Sequence, residues 1–290
     1  MLRLAIPKGS LGEQTLELFA QADLAVKKGD REYNSTIDDP RIGKVKILRP
    51  QEIPTYVMED YFDLGISGAD CVRESGADVV TVAELPYAKT GAGTIKMVVA
   101  VSNNEAIDKP EDIRPNSRVT TEFPNVTTQY FKDLGIPVKI FYSYGASEAK
   151  IPELMDVVVD LTETGATLVK NQLKIIGVIG EFPTLLIANK AAWADPAKRQ
   201  AIEEIKTLLL GVIEARGRVL LSMNVSKANL DAVLQTLPAM KRPTISPLAG
   251  DDYVGVTTVV DKRGVNILLP QLKSAGAEDI LEMPISKIVK

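Results

Sequence analysis

The sequence predicts an α/β fold: two α/β lobes followed by a small βαββαβ domain. Three observations carry this. Short apolar runs of strand length alternate with helical patterns through residues 1–216, the order of an α/β protein. The pattern restarts near Gly91, and a strand near 184–188 leads back toward the first unit, so two lobes are joined by crossing segments. From 217 onward the order becomes βαββαβ, the split ferredoxin-like plan. A chain of 290 residues has room for two or three modest domains, and 45% apolar residues can fill their cores.

The first lobe takes in residues 1–90. Within it, 2–6 read as a strand, and Ser10 as the cap of a helix running to Phe19, with Glu13 at capping-box spacing. Residues 44–48 give a strand, 53–59 a helix opened near Pro54, and 63–67 a strand with Gly68-Ala69-Asp70 at its C-terminal end. Residues 79–84 give another. The second lobe, 91–184, reads as strands at 96–101, 119–121, 138–142 and 157–159, with a helix at 126–134. Residues 185–216 complete the first lobe, through a strand and hinge at 184–188 and a strongly patterned helix from Pro196 to about Arg216. The last domain, 217–290, starts with a strand at 218–224 and a helix capped by Ser226 and running to Leu237. Strands at 244–248 and 253–260 flank an Asp-Asp turn. A helix at 265–275 is ended by Gly276, and 279–282 is the final strand.

Composition narrows the chemistry. The chain has no histidine, which excludes Ser-His-Asp and Cys-His triads and His-ligated zinc. Acid–base work falls to Asp, Glu, Lys, Tyr or Cys, and any metal site is oxygen-lined, favouring Mg²⁺ or Ca²⁺. A net charge of −4 argues against a nucleic-acid partner. No apolar run approaches the roughly 18 residues of a membrane span. The N-terminus reads as a strand and turn, not a secretory signal. Cys71 is the only cysteine, so no internal disulfide forms; a cytoplasmic protein is expected.

The strongest motif lies between Asp156 and Leu168. A buried-type strand runs into Asp160 and then into Leu-Thr-Glu-Thr-Gly-Ala-Thr, with an apolar helical stretch from Leu168. Backbone N–H groups converge in such strand-to-helix turns, the helix N-terminus adds positive dipole, and threonine hydroxyls complete an oxygen cage suited to phosphate. Asp160, just before the turn, is placed for a sugar diol or a metal. Asp156, Asp160 and Glu163 argue against a bare anion and for a ligand that also carries hydroxyls or magnesium. The competing reading is a capped helix start with an ordinary glycine turn.

Five further segments fall at tips of βα units. Lys8-Gly9-Ser10 offers a cation and flexible backbone at a strand end, or is a simple loop. Arg49-Pro50-Gln51-Glu52-Ile53-Pro54 either clamps a phosphate or leaves a surface arginine. Asp63-Leu-Gly-Ile-Ser-Gly-Ala-Asp70 lets a ligand approach the backbone, with Asp70 binding a hydroxyl or metal or capping the next helix. In Thr120-Thr121-Glu122-Phe123-Pro124-Asn125, Asn125 is an N-cap candidate and Glu122 could face a cleft. Glu148 is a carboxylate near a strand end. Their joint placement matters more than any single match.

Together these segments resemble the ATP phosphoribosyltransferase family in its long form. Residues 160–168 look like that family's phosphoribosyl-pyrophosphate (PRPP) loop. Arg49-Pro50 with Ile53-Pro54, the Asp63 to Asp70 stretch, Thr121-Glu122-Phe123-Pro124 and Glu148 look like its other characteristic stretches. One departure stands out: Lys150 and Ile151 occupy positions where small or apolar residues are expected before a proline.

The resemblance implies a two-lobed, periplasmic-binding-protein-like catalytic region and a ferredoxin-like regulatory domain. It implies that adenine N1 of ATP attacks C1 of PRPP ribose with Mg²⁺ present, the first step of histidine biosynthesis. Asp160, Lys8 and Arg49 are implied as catalytic. Asp156, Asp160, Thr162, Glu163, Thr164, Gly165, Ala166, Thr167, Leu168 and Glu148 are implied for PRPP. Lys8, Gly9, Arg49 and Asp70 are implied for ATP or pyrophosphate, with Asp70, Glu148 or substrate phosphates as metal ligands. Feedback by histidine near Met240, Thr244 and Ala277, and homo-oligomers of dimer and hexamer form, complete the set. Two other readings compete. Prephenate dehydratase joins similar parts, but its Thr-Arg-Phe hallmark meets only Thr121-Glu122-Phe123 here. A regulator's effector domain would have no use for the Asp160 loop, and no basic helix-turn-helix precedes the lobes.

Overall fold

The computed structural model describes residues 1–28, 34–87, 94–238, 242–250 and 252–290. The expected restart at Gly91 and the first half of the Asp-Asp turn lie outside the described residues. Two compact units emerge, Met1–Lys206 and Thr207–Lys290.

The first unit contains, in order, β1 (Leu2–Pro7), α1 (Ser10–Gln21), β2 (Val26–Lys28), β3 (Asn34–Ile37), β4 (Ile42–Leu48), α2 (Ile53–Met58), β5 (Leu64–Gly68), α3 (Ala69–Ser75) and β6 (Val80–Glu84). It continues with β7 (Thr94–Ser102), β8 (Arg118–Thr121), α4 (Pro124–Asp133), β9 (Lys139–Tyr142), β10 (Val157–Thr162), α5 (Ala166–Lys170), β11 (Leu173–Ala188), α6 (Lys190–Ala194) and the start of α7 (Pro196–Ala215). The division between units falls within α7. The second unit adds β12 (Arg218–Ser226), α8 (Leu230–Thr236), β13 (Thr244–Pro247), β14 (Tyr253–Asp261), α9 (Val265–Ser274) and β15 (Ala277–Pro284).

Among the described residues, eleven strands of the first unit form one sheet in the order β2-β3-β4-β1-β5-β11-β7-β10-β8-β9, with β6 also paired to β11. β4, β1 and β5 are parallel, as are β10, β8 and β9. β11 runs antiparallel to its neighbours: residues 173–183 pair with β7 and residues 184–188 with β5. One strand thus carries the backbone ladder from lobe to lobe. Only its last part was expected as a strand. Register shifts between Ile175 and Gly177 and between Val178 and Gly180 break the period-two pattern by which strands are read.

The central strands are buried on both faces, which is why they read as unbroken apolar runs. Met97, Val99, Val119, Val157 and Val159 pack with Phe131 of α4, whereas Val98, Ala100 and Val158 pack on the opposite face with Leu168 and Leu173. In the first lobe Ala5 and Ile187 pack with Ile53, Val57 and Phe62. Each fully buried Val, Leu, Ile or Phe contributes roughly 1.5–3 kcal/mol of burial free energy.

Several expected helix starts move. α1 begins at Ser10 itself, with Gly9 in the cap position, so no capping box forms. α3 follows Gly68 directly, so Asp70 lies inside the first turn and not in the cap position. Ser226 ends β12, and α8 starts only after Asn229. Asn125 lies inside α4, with Phe123 in the cap position. The second unit has the expected ferredoxin-like order: an antiparallel sheet β13-β14-β12-β15, with Val219, Leu221, Met223 and Val225 of β12 packed with Val233 of α8 and Leu268 and Leu272 of α9. Among the described residues no helix is long and apolar enough to cross a membrane.

One buried charge braces the first lobe. The Asp63 side chain is fully buried, receiving Arg3 Nη2 at 2.9 Å, Arg3 Nε at 3.0 Å and Lys198 Nζ at 2.8 Å. Burial alone would raise its pKa, but the hydrogen bonds from Arg3 and Lys198 hold it down at about 2. A depressed carboxylate stabilises the fold above its unfolded value near 4, and the contribution is lost as pH falls toward about 2. Asp63→Asn is therefore expected to lower stability at neutral pH by about 2–4 kcal/mol, measured by urea unfolding. A change below about 0.5 kcal/mol would contradict this role.

Candidate active site

Parallel strands present their C-terminal ends on one side of a sheet, where α/β ligands sit. In the first lobe β1 and β4 end in register at Pro7 and Leu48, beside the end of β5 at Gly68. In the second, β10 and β8 pair Val159 with Thr121, so Asp160 and Glu122 follow on adjacent strands. Both sets border one cavity of about 230 Å³. Leu11, Gln14, Pro50, Gln51, Gly68 and Asp70 line it from the first lobe, and Glu122, Phe123, Asp160 and Glu163 from the second. Thr94, Ile95, Phe182 and Thr184 contribute from the crossing strands.

A second cavity of about 330 Å³ lies against the hydroxyl-rich turn. Its walls are Asp160 to Thr164, Ala166 to Leu168, Glu148 and Ile95. The turn is built locally. Gly165 adopts φ 77°, a left-handed conformation that costs glycine little, and donates its N–H to Thr162 Oγ1 at 2.7 Å. Leu168 is buried against Val98, Ala100 and Val158 and anchors the far end. Glu163, Thr164, Ala166 and Thr167 remain exposed. Thr167 and Leu168 stand in the first turn of α5, where N–H groups have no carbonyl one turn back. α5 has only five residues, so these local N–H groups matter more than a helix dipole.

Asp160 lines both cavities. Its Oδ1 accepts the Leu161 N–H at 2.7 Å, yet burial, with Glu148 and Glu122 nearby, pushes its pKa up to about 6. A carboxylate crowded in this way gains most from an arriving positive charge. Among the described residues no three acidic or cysteine side chains are arranged to hold a metal ion by themselves. Glu122 lines the interlobe cavity and Glu148 the turn cavity, and both add negative potential at Asp160, which lines the two.

The other expected residues divide. Asp70 lines the interlobe cavity and is buried, which pushes its pKa up; the Cys71 thiol donates to its Oδ2 at 3.5 Å. Gly68 permits this: a Cβ there would sit 2.0 Å from Asp70 Oδ1. Glu148 borders the turn cavity from a short 3₁₀ segment, Glu148–Lys150. The unexpected Lys150 donates to Ser143 Oγ at 2.5 Å, and Ile151 joins the core behind Leu168. Lys8, Gly9 and Arg49 follow the ends of β1 and β4, with the Lys8 N–H donating to Leu48 at 2.8 Å, but none of them lines either cavity.

Asp156 does not join the site. It precedes β10, at the end opposite Asp160, and Arg118 binds it through Nη2 at 2.7 Å and through its backbone N–H at 2.7 Å. The Arg118 hydrogen bond holds its carboxyl below the usual range, as in a structural ion pair. Residues with no catalytic motif also line the cavity, Gln14, Gln51, Tyr87 and Thr94 among them. Leu11 and Gln14 show one signal, a polar residue three positions from an apolar one on a single helix face.

The expected effector residues lie in the second unit. Met240 is outside the described residues. Thr244 opens the edge strand β13, whereas Ala277 opens β15 at the opposite edge. Three interstrand spacings, roughly 14 Å, separate those edges.

Comparison with known proteins follows this geometry. The family model described as ATP phosphoribosyltransferase matches residues 49–211, and that described as its C-terminal domain matches residues 215–287. The chain is 44% identical over 288 residues to an ATP phosphoribosyltransferase of Pelotomaculum thermopropionicum, covering 99% of both chains. It is equally similar, over the same length and coverage, to the one from Desulforudis audaxviator. Among solved structures, the ATP phosphoribosyl transferase (HisG:HisZ) complex from Thermotoga maritima matches with a TM-score of 0.62 and 27% identity, covering 72% of this chain and 99% of that one. The matches reach through the C-terminal domain as well as the catalytic region, and the chain belongs to the ATP phosphoribosyltransferase family, in its long form.

Proposed function

We propose that this chain condenses ATP with PRPP to give N1-(5-phosphoribosyl)-ATP and pyrophosphate, the first step of histidine biosynthesis. One observation carries the assignment of roles: Asp160 lines both the hydroxyl-rich turn cavity and the interlobe cavity. The first suits the 5′-phosphate and ribose, the second a purine. A residue shared by both stands where pentose and base meet.

The chemistry then follows from the residues. Backbone N–H groups and hydroxyls of 162–167 hold the 5′-phosphate. The adenine N1 lone pair forms the new bond to C1 while the C1–O bond breaks and its electron pair leaves on pyrophosphate. Positive charge grows on the ribose, and the Asp160 carboxylate, unfavourably crowded before reaction, is relieved by it. Glu122, Glu148 and Asp70 add negative potential around the same centre. Lys8 and Arg49, at the first-lobe strand ends, face the polyphosphate from outside the cavity walls. Mg²⁺ would be held by the substrates' phosphates, with Asp70 or Glu148 as a further oxygen ligand, and would supply charge neutralisation for the departing pyrophosphate. A lone buried cysteine, Cys71, suits a reducing compartment, and we place the activity in the cytoplasm.

Histidine acts as a feedback inhibitor in the same reading. Thr244 and Ala277 sit at opposite edges of one sheet, so a pocket that uses both takes them from two copies of the chain. This links inhibition to a homo-oligomer, as dimer and hexamer.

These outcomes are expected of three variants and the wild type. Asp160→Asn lowers turnover by about 100-fold or more. It also stabilises the empty protein, because the raised acid favours folding below about pH 4 and that benefit is gone above about pH 6. The gain over wild type grows across this interval to about 1–3 kcal/mol, read from melting curves at several pH values. kcat/KM for PRPP in the wild type falls as pH drops below about 6, and a flat profile down to pH 5 would contradict Asp160's role. Gly165→Trp raises the PRPP KM by about tenfold or more, and an unchanged KM in a folded variant would defeat the loop assignment. Thr244→Arg raises the histidine concentration for half-inhibition by about tenfold with uninhibited turnover intact; identical inhibition curves would remove Thr244 from the effector site.

A further inference from the structure

We propose that Glu74 is a positioning residue, a latch between the lobes that sets the register of the two walls of the interlobe cavity. Glu74 lies on α3, four residues after the cavity-lining Asp70. Its carboxylate reaches to α4 in the other lobe. Oε1 accepts the Asn125 N–H at 2.9 Å and Oε2 accepts the Val126 N–H at 2.9 Å. Asn125 Nδ2 donates in turn to the Glu74 backbone carbonyl at 3.0 Å.

The bond answers a local need. α4 has Phe123 in its cap position and no capping side chain of its own. First-turn N–H groups want an acceptor, and negative charge is favoured beside them. Asn125, the expected cap, lies inside the helix, and its amide serves the same contact. The cap therefore comes from 51 residues away, on the opposite lobe.

The consequence lies in what each end is attached to. Asp70 is one helical turn from Glu74, and Glu122 is three residues from Asn125. The three hydrogen bonds thus tie one cavity wall to the other over a few rigid residues. β11 also joins the lobes, but it is a single strand with register shifts along its length. Glu74 holds a second point and fixes rotation about that strand. Two substrates held by different walls need close alignment, and a misplacement of about 1 Å costs on the order of 100-fold in rate.

The kinetic part of this inference rests on the proposed reaction; the structural part rests on the hydrogen bonds alone. In the full-length chain, Glu74→Ala is expected to lower kcat by about 10–100-fold while the PRPP Kd, from calorimetry, stays within about twofold. Glu74→Gln keeps a neutral acceptor for one N–H and recovers part of kcat. Spin labels at Glu17→Cys and Lys139→Cys, exposed sites in the two lobes, report the interlobe distance without substrate; the native Cys71 is buried and stays unlabelled. Glu74→Ala is expected to broaden that distance distribution. An unchanged distribution overturns the latch. An unchanged kcat, or a kcat loss matched by an equal loss of PRPP affinity, overturns the positioning role. If the wild type makes no phosphoribosyl-ATP, the proposed reaction fails, and the distance measurement still decides the latch.

Discussion

Strand β11 is the constraint on which the site depends. Its first part is hydrogen-bonded to β7 and its last part to β5, so the two lobes share one backbone ladder. Lys8, Arg49 and Asp70 follow strand ends in one lobe, and Glu122 and Asp160 follow strand ends in the other. Without the shared strand these would be two unrelated edges. With it, residues far apart in sequence line one cavity, where carboxylates, amides and hydroxyls are the polar side chains. A chain without histidine must do its chemistry with such groups.

Asp160 shows what the site costs the fold. Buried carboxyl groups are normally paired, as Asp63 is with Arg3 and Lys198. Among the described residues Asp160 accepts only the Leu161 N–H, and burial, with two other carboxylates nearby, pushes its pKa up to about 6. The contrast between these two aspartates separates structure from function more sharply than any motif. One is held by cations already in the protein, and the other is left for a charge that arrives with substrate.

Much of this was legible in the sequence, for reasons that can be named. Strands buried on both faces, such as β7 and β10, read as apolar runs, and the threonine-rich turn after Asp160 announced itself by composition. What stayed hidden involves partners distant in the chain. Asp156 and Asp160 look equivalent on paper, four residues apart, but roughly 13 Å of extended strand separates them, and Arg118 claims the first. Asn125 satisfies every local rule for a cap, yet Glu74 from the other lobe takes that place. β11 is obscured by its register shifts, and Gln14, Gln51 and Thr94 meet the cavity only because the topology brings their elements there. Lys8 and Arg49 show the reverse limit: a cation at a strand end is easy to read, but whether it enters the cavity is decided by the loop that follows.

The central claim is that the turn after Asp160 wraps the phosphate end of PRPP while the interlobe cavity presents the purine to it. A crystal structure of the protein with PRPP and an unreactive ATP analogue tests this most directly. The account expects the 5′-phosphate within hydrogen-bond distance of N–H groups in 163–167, the ribose C1 beside the Asp160 carboxylate, and the adenine between the lobes. PRPP bound elsewhere with that turn empty, or adenine outside the interlobe cavity, would contradict it.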